Sequence, residues 1–157
     1  MNARYPVLMN EIVIREANDS DVERILELYR EAGIGSQESF TPHEATEQLA
    51  LLRKFPSYRV FVAESGGIVV GTYELLIMDN LAKRGRKSAI IEDVAVAKQH
   101  QGRGIGRAMM EHAMQQARNA GCYKLVLSSN LERADAHAFY EALGFEKHGY
   151  SFRVEIS

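Results

Sequence analysis

Residues 88–110 read SAIIEDVAVAKQHQGRGIGRAMM, an apolar run that leads into three glycines within five residues and then into helical spacing. The run SAIIEDVAVA predicts a strand near the centre of a sheet, because apolar residues fill most of its length. Glycine weakens strands and helices, so a cluster at this junction indicates a sharp bend or the close approach of another molecule. Strand, glycine-rich turn and helix is also the arrangement in which backbone N–H groups converge on an anion such as phosphate.

The chain before this stretch predicts one strand and two helices. Residues 12–16, IVIRE, alternate as a strand does, and Ser20 with Glu23 fits a capping box at the start of the first helix. The letters TPHE from Thr41 onward predict the start of a second helix, which ends near Phe55.

Further strand and helix signals surround the glycine cluster. YRVFVAES and IVVGTYELLIM predict a hairpin that turns at residues 66–67, both glycine. Helical spacing from Ile105 predicts a helix that ends at Gly121, and KLVLSSN then predicts a fifth strand. RADAHAFYEAL predicts a short helix that ends at Gly144. FEKHGYSFRVEIS predicts two last strands around Gly149. The order β-α-α-β-β-β-α-β-α-β-β predicts an α/β (α+β) fold with a mixed sheet flanked by helices.

Bulk composition restricts the classes of function. The length of 157 residues predicts a single domain over residues 1–157. A net charge of −2 with 25% charged residues gives no broad attraction to nucleic acid or to an anionic membrane, and no stretch is apolar enough for a membrane span. Cys122 is the only cysteine, so no internal disulfide and no metal site are expected, and a reducing, cytoplasmic setting is the default.

Two nucleotide-binding patterns do not fit the glycine cluster. Gly102, Gly104 and Gly106 are spaced G-x-G-x-G, whereas the dinucleotide pattern is G-x-G-x-x-G and the phosphate loop requires Gly-Lys-Ser/Thr. Residues 101–106, QGRGIG, instead resemble the [QR]-x-x-G-x-[GA] signature of the GNAT superfamily of acetyl-CoA-dependent N-acetyltransferases. A second block, SSNLERADAHAFYEALGF, resembles the fifth strand and following helix of that superfamily. The resemblance implies one domain with a mostly antiparallel sheet and helices on both faces.

The resemblance also implies a coenzyme site. The N–H groups from Gln101 to Arg107 would hold the pyrophosphate of acetyl-CoA, and Arg103 or Arg107 could add charge-assisted bonds. Strands four and five splay apart in this family, and the pantetheine arm bonds to main chain that corresponds here to Val94 and Val96. Asn130 resembles the asparagine that contacts the same arm. The implied coenzyme set also contains Gly102, Gly104, Gly106 and Ala136.

Amide formation requires a neutral amine and a proton for the departing thiolate. Tyr140 occupies the tyrosine position of the family pattern A-x-x-x-Y-x-x-x-G-F and is the predicted proton donor, although the same residue continues an apolar stripe typical of a core. Glu92 and Asp93 are the nearest acids for deprotonating the amine, or are paired structural acids. In a regular pleat they point to opposite faces, so at most one faces the cleft, and Glu92 shares a face with Val94 and Val96 unless a bulge reverses this.

Three further features have simpler interpretations. His137 is expected to be an exposed or capping histidine. Cys122 is expected to be packed, although an acetyl-cysteine intermediate remains an option. Residues 83–87, KRGRK, are either a solvated loop or a contact for an anionic acceptor.

The acceptor is predicted to be a small amine that carries a negative charge. IEDVAV and GCYKLVL resemble glucosamine-6-phosphate N-acetyltransferases, whereas SSNLERADAHAFY resembles aminoalkylphosphonate and other small-amine acetyltransferases. The alternative class is a non-catalytic acetyl-CoA-binding sensor or assembly module. A binding-only domain needs neither Tyr140 nor an acid at position 92 or 93. The resemblance leaves open a homodimer formed through the C-terminal strands.

Overall fold

The computed structural model describes residues 11–35 and 39–156. The predictions for the N-terminal ten residues and for loop residues 36–38 lie outside the described residues. Five strands and four α-helices follow one another in the order β1 (Ile12–Glu16), α1 (Val22–Ala32), α2 (Pro42–Leu52), β2 (Tyr58–Ser65), β3 (Ile68–Met78), β4 (Ser88–Val96), α3 (Ile105–Asn119), β5 (Lys124–Leu127) and α4 (Ala134–Ala142).

The strands form one open sheet in the order β1-β2-β3-β4-β5. Strands β1 to β4 are antiparallel to their neighbours, whereas β5 runs parallel to β4 after the α3 crossover. The predicted hairpin is confirmed, since Gly66 and Gly67 both have positive φ between β2 and β3. The predicted α/β class, with a mixed and mostly antiparallel sheet, is therefore confirmed.

Two hydrophobic clusters cover the two faces of the sheet. One cluster joins α1 and α2 to the sheet through side chains such as Leu28, Leu49 and Val62. The other joins α3 to the opposite face through side chains such as Tyr73, Ile91 and Met109, and aromatic residues of α4 pack against it. Helices thus shield both faces, as expected for an amphipathic sheet. The two faces are called here the α1/α2 face and the α3 face.

The start of α1 differs from the prediction. A 3-10 turn, Asp19–Asp21, leads into α1, and Asn18 caps that turn: its side chain accepts the Ser20 amide at 2.9 Å, and the Asp21 carboxylate accepts the Asn18 amide at 2.8 Å. No side chain caps α1 itself. Asp21 also forms a bidentate ion pair with Arg15 at 2.7 and 2.9 Å. The predicted Ser20–Glu23 box does not form, because Ser20 lies inside the 3-10 turn and its hydroxyl group donates to Asn18 Oδ1. The predicted start of α2 is confirmed, since Thr41 and Glu44 form a capping box there.

The two strands predicted at the C-terminus are wrong. Residues 145–156 contain no strand, although their apolar residues alternate as a strand would require. Four of these side chains are between 79% and 91% exposed: Tyr150, Phe152, Val154 and Ile156. Strand signals describe a segment that fits a half-buried pleated surface, and no described part of the chain supplies that surface here.

No helix within the described ranges is both long and apolar enough to cross a membrane.

Candidate functional site

The edge of β4 that faces β5 is open over its second half. Pairing with β5 runs from Ser88, opposite Lys124, to Ile91, opposite Leu127, and then stops. On its other side β4 stays paired with β3 as far as Val96. No described segment pairs with the β5 side of residues 92–96. Backbone groups on such an edge can bind an extended molecule as an additional strand would bind.

A bulge in β4 marks the point where the strands separate. Thr72 pairs with Ala95 and Glu74 with Glu92, so Tyr73 alone on β3 faces two residues on β4. Asp93 has φ of 49°, in the left-handed region that few residues other than glycine adopt. The additional residue bends the strand and is typical of a functional edge.

The bulge corrects the predicted orientation of the acids. Val94 and Val96 pack against the α3-face cluster, as Ile91 does, whereas Glu92 is the cross-strand partner of Glu74 and does not share their face. The carboxylates of Asp93 and Glu92 both raise the pKa of Tyr58 on β2, after the larger effects of burial and the bond to Glu74. Both acids thus act on one tyrosine, and the expectation that at most one faces the cleft, which assumed a regular pleat, does not apply at this bulge.

Two different structural requirements explain why the three positions of the loop are glycine. Gly102 and Gly104 have φ of 73° and 83°, and a Cβ added at either would meet nothing within 4 Å. These two positions need glycine because their backbone is left-handed, a conformation that other residues adopt only with strain. Gly106 lies inside α3, and a Cβ there would lie 3.1 Å from Cζ of Phe139. The third glycine therefore lets α3 pack closely on α4.

The loop leaves backbone donors at the start of α3. The amide of Gln101 donates to the Lys98 carbonyl at 3.4 Å, and the next amide to donate to a described carbonyl is that of Ala108, to Gly104 at 3.0 Å. No side chain caps the helix, so residues 102–107 present N–H groups at its positive end. Arg103 and Arg107 are exposed there, and Arg107 lies 3.7 Å from Glu111. This arrangement fits an anion such as pyrophosphate.

Gln101 links the loop to the end of β4. Its side-chain Nε2 donates to the carbonyl oxygen of Val96 at 3.2 Å. The predicted main-chain position at Val96 thus already has one partner from the protein.

Two orphaned polar atoms lie beside this region, and sequence reasoning missed both. Within the described residues, His100 Nδ1 and Ser129 Oγ are the buried side-chain atoms that have no hydrogen-bond partner. His100 immediately precedes the glycine loop, and Ser129 follows the end of β5. A buried polar atom without a partner carries a desolvation cost that a polar ligand would remove.

Asn130 and His137 shape the connection between β5 and α4. Asn130 Oδ1 accepts the Glu132 amide at 2.9 Å, and its carbonyl oxygen accepts a bond from His137 Nε2 at 2.9 Å. His137 therefore secures a turn, which agrees with its interpretation as a capping histidine. Ala136 is buried in the first turn of α4.

Tyr140 combines a packed ring with an available hydroxyl group. Its ring lies between Phe139 and Phe145, with centroids 5.2 and 5.7 Å away, and packs against the α3-face cluster. The hydroxyl group forms no hydrogen bond within residues 11–35 and 39–156, and burial raises the pKa of Tyr140. A phenol that stays protonated at neutral pH is a competent proton donor.

Sequence reasoning also missed a carboxyl cluster on the α1/α2 face. Glu74 on β3 accepts bonds from the hydroxyl groups of Tyr29 on α1 and Tyr58 on β2, and it faces Glu92 across the strand pair. A glutamate inside the otherwise apolar run IVVGTYELLIM was the available signal. None of the described His, Cys, Asp and Glu side chains forms a group of three or more that could hold a metal ion.

The other candidates lie away from the open edge. Cys122 comes just before β5, at the end where β4 and β5 are still paired, and burial raises the pKa of its thiol. Residues 83–87 join β3 to β4 at that same end, where the Lys87 carbonyl accepts the Tyr123 amide at 2.8 Å.

Comparison with known proteins agrees with this geometry. Residues 22–145 match the model of the acetyltransferase (GNAT) family. The chain is 34% identical over 98 residues to glucosamine 6-phosphate N-acetyltransferase of Trypanosoma brucei brucei, a match that covers 62% of this chain and 65% of that protein. It is 38% identical over 92 residues to N-acetyltransferase 8 of Rattus norvegicus, which covers 59% of this chain and 41% of that protein. The matches thus span less than two thirds of these relatives.

Solved structures match this chain over nearly the full length of both proteins. The putative acetyltransferase from Agrobacterium tumefaciens superposes with a TM-score of 0.85 and 35% identity, and the match covers 92% of this chain and 99% of the other. Glucosamine-6-phosphate N-acetyltransferase from Arabidopsis thaliana has the same fold, with a TM-score of 0.81 at 22% identity over 94% and 99% of the two chains. The chain therefore belongs to the acetyltransferase (GNAT) family.

Proposed function

We propose that this chain transfers the acetyl group of acetyl-CoA to a primary amine of a small metabolite, by direct attack in a ternary complex. The observation that carries the proposal is the open edge of β4 over residues 92–96, which leads into the uncapped start of α3. The open edge would thus end at a site for phosphates. A thioester-bearing arm that ends in a pyrophosphate has this combination of chemical groups.

In this proposal acetyl-CoA lies along the open edge. Amides of residues 102–107 bind the pyrophosphate, with Arg103 and Arg107 adding charge. The main chain at Val94 and Val96 bonds the pantetheine arm, and the β5 side contributes residues of the β5–α4 connection: Ser129, Asn130 and Ala136. The domain would span residues 1–157. The free thiol of Cys122 suits a reducing compartment such as the cytoplasm.

The proton steps use groups on both sides of the thioester. The incoming ammonium loses a proton to Glu92 or Asp93, and the amine lone pair forms a C–N bond as the C–S bond breaks. Tyr140 gives its proton to the leaving thiolate, and the new C–N nitrogen, which still carries one proton more than the amide, then returns that proton to the tyrosinate. Burial raises the pKa of Glu92, as does the charge of Asp93, and burial raises the pKa of Asp93. Carboxylates with raised proton affinity are better proton acceptors near neutral pH.

The sign of the acceptor's charge is a separate question for the assay. An anionic acceptor would use residues 83–87, and the trypanosome relative is named for a sugar phosphate. Those residues end five positions before Glu92, about 16 Å along an extended strand. A small acceptor held at the bulge would not reach them, so both anionic and cationic amines belong in the assay.

A homodimer would cover the exposed C-terminal side chains. Tyr150, Phe152, Val154 and Ile156 present an alternating apolar row that a second copy could bury. Light scattering of the full chain should give twice the monomer mass, whereas a monomer at all concentrations would exclude this part of the proposal.

The decisive experiment measures thiol release from acetyl-CoA with amines that include glucosamine 6-phosphate, aminoalkylphosphonates and diamines. For the amine that is turned over, Tyr140→Phe should lower kcat by about 10²–10⁴-fold, because the leaving thiolate loses its proton donor. The affinity for acetyl-CoA, measured by calorimetry, should stay within about twofold. The control Tyr123→Phe removes a hydroxyl group at the end where β4 and β5 are still paired, away from the open edge, and should leave kcat unchanged.

The alternative function is an acetyl-CoA sensor without turnover. Binding of acetyl-CoA with no turnover of any amine would favour that function. Absence of binding would exclude the proposed use of the glycine loop. Full activity of Tyr140→Phe would remove this tyrosine from the proposed mechanism.

A further inference from the structure

Glu31 holds the segment that leads into the glycine loop. It lies in the last turn of α1, and its Oε2 accepts the backbone amide of Lys98 at 3.2 Å. Lys98 lies between the end of β4 and Gly102. A side chain of α1 thus bonds, across 67 sequence positions, to the main chain beside the candidate pyrophosphate site.

Arg24 on the same helix holds Glu31 in this position. Its Nη1 lies 3.1 Å from Oε1 of Glu31 and 2.7 Å from Oε2 of Glu27, and its Nε donates to the Val69 carbonyl oxygen on β3 at 3.1 Å. Each oxygen of the Glu31 carboxylate therefore has its own donor, which fixes the carboxyl plane. The Lys98 amide lowers the pKa of Glu31, loss of hydration opposes this, and Arg24 lowers the pKa further, so the group is ionised at neutral pH.

The position of Glu31 goes against the local preference of a helix. Free carbonyl groups give the C-terminal end of α1 a partial negative charge, which disfavours an acidic side chain in the last turn. The bonds from Arg24 and the Lys98 amide offset this repulsion. A residue that breaks a local rule indicates a requirement outside its own element. For Glu31 that requirement is the contact with the loop.

Few other polar contacts fix residues 98–104. Within the described ranges, the bond from Lys98 to Glu31 is the only hydrogen bond that joins these residues to an element other than β4 and α3. The amides of His100 and Gln101 donate to carbonyl groups of residues 97 and 98. Gly102 and Gly104 add backbone freedom, since glycine populates more conformations than other residues do. The loop therefore needs an external contact to keep one position.

We propose that Glu31 is a positioning residue for acetyl-CoA binding: its contact with the Lys98 amide keeps residues 98–104 where the loop can bind the pyrophosphate. The inference rests on the proposed function, in which amides of residues 102–107 bind that group. Glu31 acts through the backbone and contacts neither the phosphates nor the reacting atoms.

The physical reason is preorganisation. A loop that already has its bound shape loses less conformational freedom when the ligand binds, so less of the binding free energy is spent on ordering it. The ion pair with Arg24 also matters, because a paired carboxylate repels a nearby phosphate less than a free one does.

The test compares Glu31→Ala with Glu27→Ala. Both variants remove a carboxylate partner of Arg24, but the bond to the loop belongs to Glu31. Alanine has a high helix propensity, so both variants should fold. With the amine that the wild type acetylates, Glu31→Ala should raise KM for acetyl-CoA about 3–10-fold and leave kcat within about twofold. Glu27→Ala should change neither value, and equal effects of the two variants would overturn the proposal.

Glu31→Gln separates the contact from the charge. Glutamine keeps a side-chain oxygen that can accept the Lys98 amide, and Arg24 keeps Glu27 as its partner. KM for acetyl-CoA should therefore stay within about twofold of the wild-type value. A glutamine variant as impaired as the alanine variant would show that the charge of Glu31, and not its bond to the amide, is responsible. That result would also overturn the proposal.

A measurement without ligand keeps this inference separate from the proposed function. In the unliganded chain, ¹⁵N relaxation gives order parameters for the amides of residues 98–104. In Glu31→Ala they should fall toward the flexible range below about 0.6, whereas Glu27→Ala should keep the wild-type values. Unchanged order parameters in Glu31→Ala would overturn the proposal. If the wild type does not bind acetyl-CoA, the proposed function fails, and the relaxation data still decide whether Glu31 holds the loop.

Discussion

At the scale of single residues, Asp93 determines where the site opens. Its φ of 49° places the additional residue of the bulge in the left-handed region. Among residues with a side chain, Asn and Asp enter that region most readily, because their short polar group can bond locally. Asp93 thus has two roles: its backbone forms the bulge, and its side chain supplies a carboxylate.

Two substitutions separate these roles of Asp93. Asp93→Asn and Asp93→Ala both remove the charge, but only asparagine readily tolerates the left-handed backbone. We expect the alanine variant to have a free energy of unfolding lower than that of the asparagine variant by about 1 kcal/mol. Urea unfolding at neutral pH measures the difference.

The same pair at Asp135 is the control for that comparison. Asp135 lies in the first turn of α4, where the backbone is right-handed. Alanine should be as stable as asparagine there or more stable, because its helix propensity is higher. Equal stability of the two Asp93 variants would contradict the argument from the backbone.

At the scale of elements, the close contact of α3 with β3 fixes the position of the glycine loop. A Cβ at Gly71 on β3 would lie 2.6 Å from Met109 Sδ and 3.2 Å from Ile105 Cγ2, both on α3. Met109 is fully buried, so its side chain can move only by displacing other core atoms. Helix α3, which begins at the glycine loop, therefore packs directly against the backbone of β3.

Gly71→Ala should consequently lower the free energy of unfolding by about 1–3 kcal/mol through overpacking. Gly149→Ala is the matched control, since an added Cβ there would meet nothing within 4 Å, and it should change stability by less than about 0.5 kcal/mol. Chemical unfolding measures both. Equal effects of the two substitutions would show that α3 can shift away from β3 at little cost.

At the scale of the whole molecule, Glu74 and Asp21 change the free energy of unfolding with pH in opposite directions. The pKa of Glu74 is raised in the folded state, so the folded chain holds its proton more tightly than the unfolded chain does. The stability linked to Glu74 is then full below its unfolded pKa of about 4.3 and is lost as pH rises through the folded value. Burial alone would raise the pKa of Asp21, but bonds from Arg15 and the Asn18 amide lower it. Its contribution is present above about pH 3.9 and is lost as pH falls through the folded value.

This linkage predicts how two variants diverge in thermal unfolding. The Tm of Glu74→Gln, relative to the wild type, should increase between about pH 4 and pH 8, because the variant lacks the group that loses stability there. The relative Tm of Asp21→Asn should decrease as pH rises from about 2 to 5, since only the wild type gains the ion pair with Arg15. Parallel curves for the two variants would contradict the assigned pKa directions.

The sequence predicted what depends on local pattern and missed what depends on contacts between distant segments. The nine elements from β1 to α4 follow from periodicity, caps and glycines, as at Thr41 and at Gly66. The Glu74 cluster joins residues 16 and 45 positions apart, and no local pattern encodes such a meeting. The bulge at Asp93 depends on the register with β3. The C-terminal residues carry a strand pattern for which no described surface provides a partner.

The bulge has a consequence for how members of such a family can diverge. Asp93 is the one additional residue in β4, so a chain that lacked it would keep strict alternation: Ile91, Val94 and Val96 would still point toward α3. Loss of a single codon would therefore preserve the packing of the sheet while it removed the bend and an acid. One in-frame deletion thus separates this strand from a regular one that packs on the same helix and lacks the bulge.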